Sequence, residues 1–153
     1  MYQLSGEYAC KMDAKGRLKL PSALLRQLGA EIPAFVLNRG FEKCLTMYPK
    51  NVWDQKTNEL GKLNTFKSKH RNFIRVFVRG ATQVQPDTSD RILIPQSLRM
   101  HADISKHVML IGLLDHVEIW PRDAYLEFMD IGSDEMAKMS DEVFDEKSEN
   151  ADE

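Results

Sequence analysis

Residues 6–28 read GEYACKMDAKGRLKLPSALLRQL, and residues 80–102 read GATQVQPDTSDRILIPQSLRMHA. Laid over one another at an offset of 74, they match Asp13 with Asp87, Arg17 with Arg91, Leu18 with Ile92 and Leu20 with Ile94. Pro21 falls over Pro95 and Leu24 over Leu98. After a slip to an offset of 72, Val36 lies over Val108, Gly40 over Gly112, Leu45 over Val117, and Tyr48-Pro49 over Trp120-Pro121. Self-similarity at a fixed spacing marks one structural unit used twice. The chain therefore divides into a first repeat over residues 5–54, a connecting segment 55–79, a second repeat 80–130 and an end 131–153.

Both repeats imply the same elements, and together an α+β fold. A first strand, Glu7–Met12 or Ala81–Gln85, leads to a polar turn that begins at the aspartate. The next strand alternates, with Leu18 and Leu20 on one face and Arg17 and Lys19 on the other. Pro21-Ser22 opens a short helix that Gly29 stops. An apolar strand (Phe35–Leu37), a glycine-containing turn and a further strand (Cys44–Tyr48) follow, and Pro49 precedes a helix that carries Trp53. Leu18, Leu20, Leu24, Phe35, Leu45, Ile92, Ile94, Leu110 and Trp120 are assigned to the core and its covering helices. In the connecting segment, Lys67, Arg71, Arg75 and Arg79 recur every four residues, which favours a helix, although the alternation over 72–78 also suits a strand. The end from Asp130 holds ten acidic and two basic residues, a composition expected to be disordered or loosely helical.

The turns Asp13-Ala14-Lys15-Gly16-Arg17 and Asp87-Thr88-Ser89-Asp90-Arg91 carry the chemistry. An aspartate at the start of such a turn accepts backbone N–H bonds, and Gly16 supplies positive φ without steric cost. The simplest role for an Asp-x-x-x-Arg is structural, an exposed ion pair across a hairpin that contributes about 0–1 kcal/mol. Two such motifs at matching places ask for more. A two-stranded hairpin fits the major groove of DNA, arginine grips guanine O6 and N7 through two bonds, and lysine reaches guanine or phosphate.

With Gly6-Glu7-Tyr8 leading into Asp13-Ala14-Lys15-Gly16-Arg17-Leu18 and Pro21, and Gly80-Ala81 leading to Asp87, Arg91, Ile94-Pro95 and Val117-Glu118-Ile119-Trp120, residues 5–128 resemble the MraZ family of bacterial transcriptional regulators. The resemblance implies a double-split β-barrel related to AbrB-like regulators and a ring-shaped homo-oligomer of eight or twelve chains. It also implies binding to tandem repeats in the promoter upstream of the division and cell-wall gene cluster, with repression as the expected sign. On matching positions, Lys15 and Arg17 would contact DNA while Asp13, Gly16 and Asp87 shape the hairpins. Lys19 and Arg91 join them as candidate contacts. The second motif has Ser89 and Asp90 where the first has Lys15 and Gly16.

Composition fits a soluble globular chain: 42% hydrophobic and 29% charged in 153 residues. The longest apolar stretch, residues 108–114, contains Gly112 and is too short for a bilayer. With no export signal visible, a cytoplasmic, nucleoid-associated protein is expected. The net charge of −2 conceals a division. Residues 1–80 carry 15 basic against 6 acidic residues, a net +9; residues 81–153 carry 6 against 17, a net −11. A basic half and an acidic half invite head-to-tail contacts that close into a ring and weaken at high salt, or a tail that competes with DNA for the basic turns.

Cys10 and Cys44 are 34 residues apart, without a C-x-x-C, and read as two reduced, buried thiols. His70, His101, His107 and His116 form no metal-ligand spacing. No cofactor, metal, small-molecule substrate or membrane partner is expected. Catalysis by Asp13 and Asp87 lacks any accompanying nucleophile–base pattern or phosphate loop. The alternative to a DNA-binding regulator is a purely structural oligomer, in which the turns only tighten hairpins and the basic residues face a protein.

Overall fold

The first strand of each repeat pairs with the third strand of the other. A computed structural model describes residues 1–151. In the first repeat it contains β1 (Glu7–Lys11), β2 (Arg17–Lys19), α1 (Ser22–Leu28), β3 (Phe35–Arg39) and β4 (Leu45–Pro49). Helices α2 (Lys50–Leu60) and α3 (Ser68–Val78) follow. The second repeat contains β5 (Thr82–Val84), β6 (Arg91–Leu93), α4 (Gln96–Ala102), β7 (His107–Leu113) and β8 (His116–Pro121), and then come α5 (Arg122–Phe128) and α6 (Ser133–Ala151). The chain separates into two compact bodies, Met1–Arg122 and Asp123–Glu153.

The first body is α+β. Six strands form one antiparallel sheet in the order β1-β7-β8-β4-β3-β5, and β2 and β6 form a separate antiparallel ribbon. Exchanging each strand for its counterpart reverses that order onto itself, so a local two-fold relates the repeats. The dyad passes through Leu18↔Ile92 in the ribbon and Thr46↔Glu118 in the sheet. Because β1 bonds to β7 and β5 to β3, each repeat completes the backbone hydrogen bonding of the other.

Burial follows the same symmetry. Leu18, Leu20 and Leu24 with their counterparts Ile92, Ile94 and Leu98 enter a single apolar cluster with Phe35, Leu37, Leu45, Val108, Leu110, Val117 and Ile119. Each such side chain contributes about 1.5–3 kcal/mol on burial. Pro21, Pro49 and Pro95 stand immediately before α1, α2 and α4 in extended conformation, with ψ of 141°, 142° and 145°. A proline at a helix start lacks an N–H that would have had no helical acceptor. Gly29 (φ 104°) and Asp103 (φ 56°) end α1 and α4.

A second cluster of Val36, Tyr48, Val52 and Trp53 lies under α2. Phe77 of α3 stacks on Trp53, with ring centroids 5.7 Å apart. Buried Asn38 donates through Nδ2 to the Phe77 carbonyl at 2.6 Å, satisfying both groups where α3 ends. Residues 72–78 are therefore helical, held by a capping amide and an aromatic stack that alternation does not reveal.

Two alignments change in three dimensions. Phe35 lies opposite Pro49 and Val108 opposite Pro121, so Phe35, rather than Val36, is the counterpart of Val108. The slip comes from unequal hairpin loops, residues 40–44 in one repeat and 114–115 in the other. Gly112 accordingly sits inside β7 opposite Val117, whereas Gly40 lies beyond β3. The acidic end carries a 19-residue helix, α6. Alanine, methionine, lysine and glutamate favour this state, and Asp134 and Glu135 in its first turn suit the positive end of the helix dipole. Residues 152 and 153 lie outside the described part of the chain.

Gly112 has its own requirement. A Cβ there would stand 2.5 Å from the Ser5 backbone nitrogen and 2.9 Å from the Leu4 carbonyl carbon. Gly112→Ala must displace main chain rather than a flexible side chain. Its expected cost is about 1–3 kcal/mol, measurable as a lower midpoint in denaturant unfolding; an unchanged midpoint would contradict the packing described.

Candidate nucleic-acid interface

Each Asp-x-x-x-Arg turn is built around one carboxylate. Asp13 Oδ1 accepts the N–H groups of Lys15 (3.0 Å) and Arg17 (2.9 Å), while Oδ2 accepts Arg17 Nε at 2.8 Å. Asp13 N–H donates to the Arg17 carbonyl and Gly16 N–H to the Asp13 carbonyl. In the second turn Asp87 Oδ1 accepts from Ser89 (2.8 Å) and Arg91 (2.9 Å), and Oδ2 accepts Arg91 Nε at 3.0 Å. The position before each arginine has positive φ, 86° at Gly16 and 60° at Asp90. Aspartate reaches that region more readily than most side chains, so the turn survives the change from Gly16 to Asp90.

The carboxylates are held ionised. The Arg17 backbone N–H, joined by its guanidinium and the Lys15 N–H, keeps the Asp13 carboxyl below its ordinary value. At Asp87 the Arg91 backbone N–H leads, with Ser89 N–H and the Arg91 guanidinium assisting. The same bonds fix both arginine stems: each guanidinium is tied at Nε, and each side chain is about one-third exposed. An arginine restrained in this way is oriented before any ligand arrives.

The ribbon gathers these arginines. Leu18 and Ile92 face the core, so Arg17, Lys19, Arg91 and Leu93 occupy the opposite face. Lys19 lies directly across from Arg91, and Arg17 across from Leu93. Two cations opposite one another destabilise a ladder and favour an anionic partner. Among the described residues neither Lys15 nor Lys19 forms an ion pair, and both are exposed. The structure thus brings Arg17, Lys19 and Arg91 onto one face with Lys15 at its first turn, while Asp13, Gly16 and Asp87 form the turns themselves.

Arg99 was not among the sequence candidates. Its guanidinium crosses the first turn, so that a Cβ on Gly16 would come 2.8 Å from Arg99 Cζ. With Lys106 it lines a 550 Å³ depression beside Asp13. The available signal is in the repeat, where Arg99 stands over Leu25 at the offset of 74. On α3, Arg71 Nη1 donates to the Thr65 carbonyl at 2.7 Å and Arg75 Nη1 to Asn72 Oδ1 at 2.9 Å. Those two side chains partly serve their own helix.

Glu42, Cys44 and Glu118 also converge, with ligand-type atoms within 4.8 Å of one another. Burial, then the neighbouring Glu118 and Glu42 charges, push the Cys44 thiol far above its ordinary range. It is a protonated donor to Glu118 Oε2 at 3.8 Å. Burial likewise raises Cys10 to about 11. Among the described residues no helix is long and apolar enough to cross a membrane.

Fold and surface define a class: a two-repeat α+β protein displaying a basic two-stranded ribbon on its internal dyad. Residues 3–76 and 77–148 each match the family described as "MraZ protein, putative antitoxin-like", and the chain belongs to the MraZ family. The protein named Transcriptional regulator MraZ from Christiangramia forsetii is 41% identical over 145 residues, covering 94% of each chain. Its namesake from Flavobacterium psychrophilum is 37% identical over 94% of this chain and 92% of its own. That from Finegoldia magna is 38% identical over 80% of this chain and 83% of its own. Proteins so named regulate transcription rather than catalyse a reaction.

A group whose folded pKa is depressed stabilises the fold above its unfolded value and loses that contribution as pH falls through the folded one. For Asp13 and Asp87 the loss should set in as pH falls through the ordinary carboxyl value of 3.8 and be complete only at lower pH. Carboxyl-carbon NMR titration should place both midpoints below 3.8; midpoints at or above it would contradict the clamp.

Proposed function

We propose that this protein is a sequence-specific DNA-binding transcriptional regulator whose β2–β6 ribbon enters the major groove. Arg17 and Arg91 read base edges, with guanine O6 and N7 as their natural partners, and Lys15 and Lys19 contact bases or phosphates. The observation that carries this reading is the ribbon itself: three cations share its outer face, two of them arginines pre-oriented by the aspartate clamps. A two-stranded ribbon has the width the major groove admits. The protein is not an enzyme.

Membership of the family supports the finer features of this reading. In this reading the two repeats form a double-split β-barrel, and chains assemble into a ring. One ribbon makes few contacts, so several ribbons meeting tandem repeats on one duplex supply the affinity through high effective concentration. The target is the promoter upstream of the division and cell-wall gene cluster, the effect is repression, and the site of action is the cytoplasmic nucleoid.

The test is binding to duplexes carrying tandem repeats from the upstream region, across a salt series. Wild type should bind specifically, with affinity that falls steeply as salt rises. Arg17→Ala should lose at least about tenfold, the equivalent of one base contact, and relax specificity while assembly size is unchanged. Equal affinity for scrambled DNA, with a well-folded oligomer, would instead support a structural interaction protein.

A further inference from the structure

Arg39, Phe41, Phe73, Val76, Arg79 and His101 line a cavity of about 150 Å³. Arg39 Nε and His101 Nε2 are buried there without hydrogen-bond partners. Buried polar atoms in a folded protein ordinarily find partners, so this pair signals missing ones. Arg79, at the end of α3, adds a second guanidinium. Burial, and then the charges of Arg39, Arg79 and Lys43, lower the His101 pKa. Lys43 itself is paired with Asp103. The walls are apolar: Phe41 is 81% exposed and Phe73 44%, with Val76 beside them. No residue of α3 is buried. A ligand for this surface needs both an acceptor and apolar bulk.

We infer that this pocket is the docking site for the acidic helix α6 of a second copy of the chain. Helix α6 has the complementary chemistry. It carries seven acidic against two basic residues. Met136, Met139, Val143 and Phe144 follow the i, i+3, i+7, i+8 spacing of one helical face, and all four are exposed. Glu135, Glu142 and Glu146 border that stripe. The apolar stripe packs on Phe41, Phe73 and Val76, while bordering carboxylates accept from Arg39, His101 and Arg79. Phosphate could satisfy the cations but leaves the aromatic wall bare, which disfavours DNA as occupant. Complementary basic and acidic patches suit a contact that passes from copy to copy, and only such a contact is rescued by mixing two variants. Because pocket and helix are different patches, the contact is heterologous and can close into a ring.

This inference rests on the self-association proposed above, and full-length protein tests it by sedimentation velocity at moderate salt. Wild type, Phe144→Glu and Arg79→Glu are compared, together with a mixture of Arg79→Glu and the double variant Glu142→Arg/Glu146→Arg. Wild type should assemble, and each single variant should need at least tenfold more protein to do so, with unchanged circular dichroism. The mixture should recover assembly, since the reversed helix now meets a reversed pocket. Single variants that assemble like wild type would overturn the docking site while leaving the ring intact. A wild type that binds DNA as a monomer would overturn the self-association reading, and this inference with it. Loss of DNA affinity in Arg79→Glu without a change in size would assign the pocket to DNA and equally overturn the proposal.

Discussion

Leu18 and Ile92 meet across the β2–β6 ladder, both fully excluded from solvent. This contact joins the repeats at their dyad and sets the direction of every neighbouring side chain on two short strands. Alternation then leaves Arg17, Lys19, Arg91 and Leu93 no inward option. A three-residue ladder would be marginal by itself. It persists because Leu20 N–H donates to the Asp90 carbonyl and Ile94 N–H to the Gly16 carbonyl, extending the pairing into both turns. The buried core and the charged outer face are consequences of one register.

The aspartate clamps convert that register into a surface suited to recognition. A free surface arginine carries about 2 kcal/mol of rotamer entropy, much of which is lost on forming fixed bonds. Here Asp13 and Asp87 have already restricted Arg17 and Arg91 through Nε. The two copies have then diverged at the edges. The first turn keeps Gly16 beneath the Arg99 guanidinium, whereas the second reaches the same backbone shape with Asp90. The first turn is consequently the more basic one.

Much of this arrangement was legible in the residues. The repeat, the proline-led helices, the inward Leu18 and Leu20, and the two aspartate turns all arise from local rules of periodicity and turn chemistry. The exchange of first strands between repeats was not legible, because pairing between residues 45 to 104 positions apart leaves no local pattern. Unequal hairpin loops hid the true match of Phe35 with Val108. The recurrence of basic residues every four positions over 67–79 favours the helix of α3, but its contacts with Asn38 and Trp53 leave no mark on that stretch. The joining of both motifs into one ribbon was likewise invisible, since each motif reads as a separate hairpin. Arg99 and the Arg39–His101 pocket depend on side chains that converge only after folding.

The face carrying Arg17, Lys19 and Arg91 is the one proposed to touch DNA. Photo-cross-linking to a tandem-repeat duplex with 5-bromouracil in the repeats, followed by mass spectrometry of the attached peptides, tests it without perturbing the protein. Attachment is expected within residues 13–19 and 87–93. Attachment confined to α3, with the ribbon peptides unmodified, would contradict it.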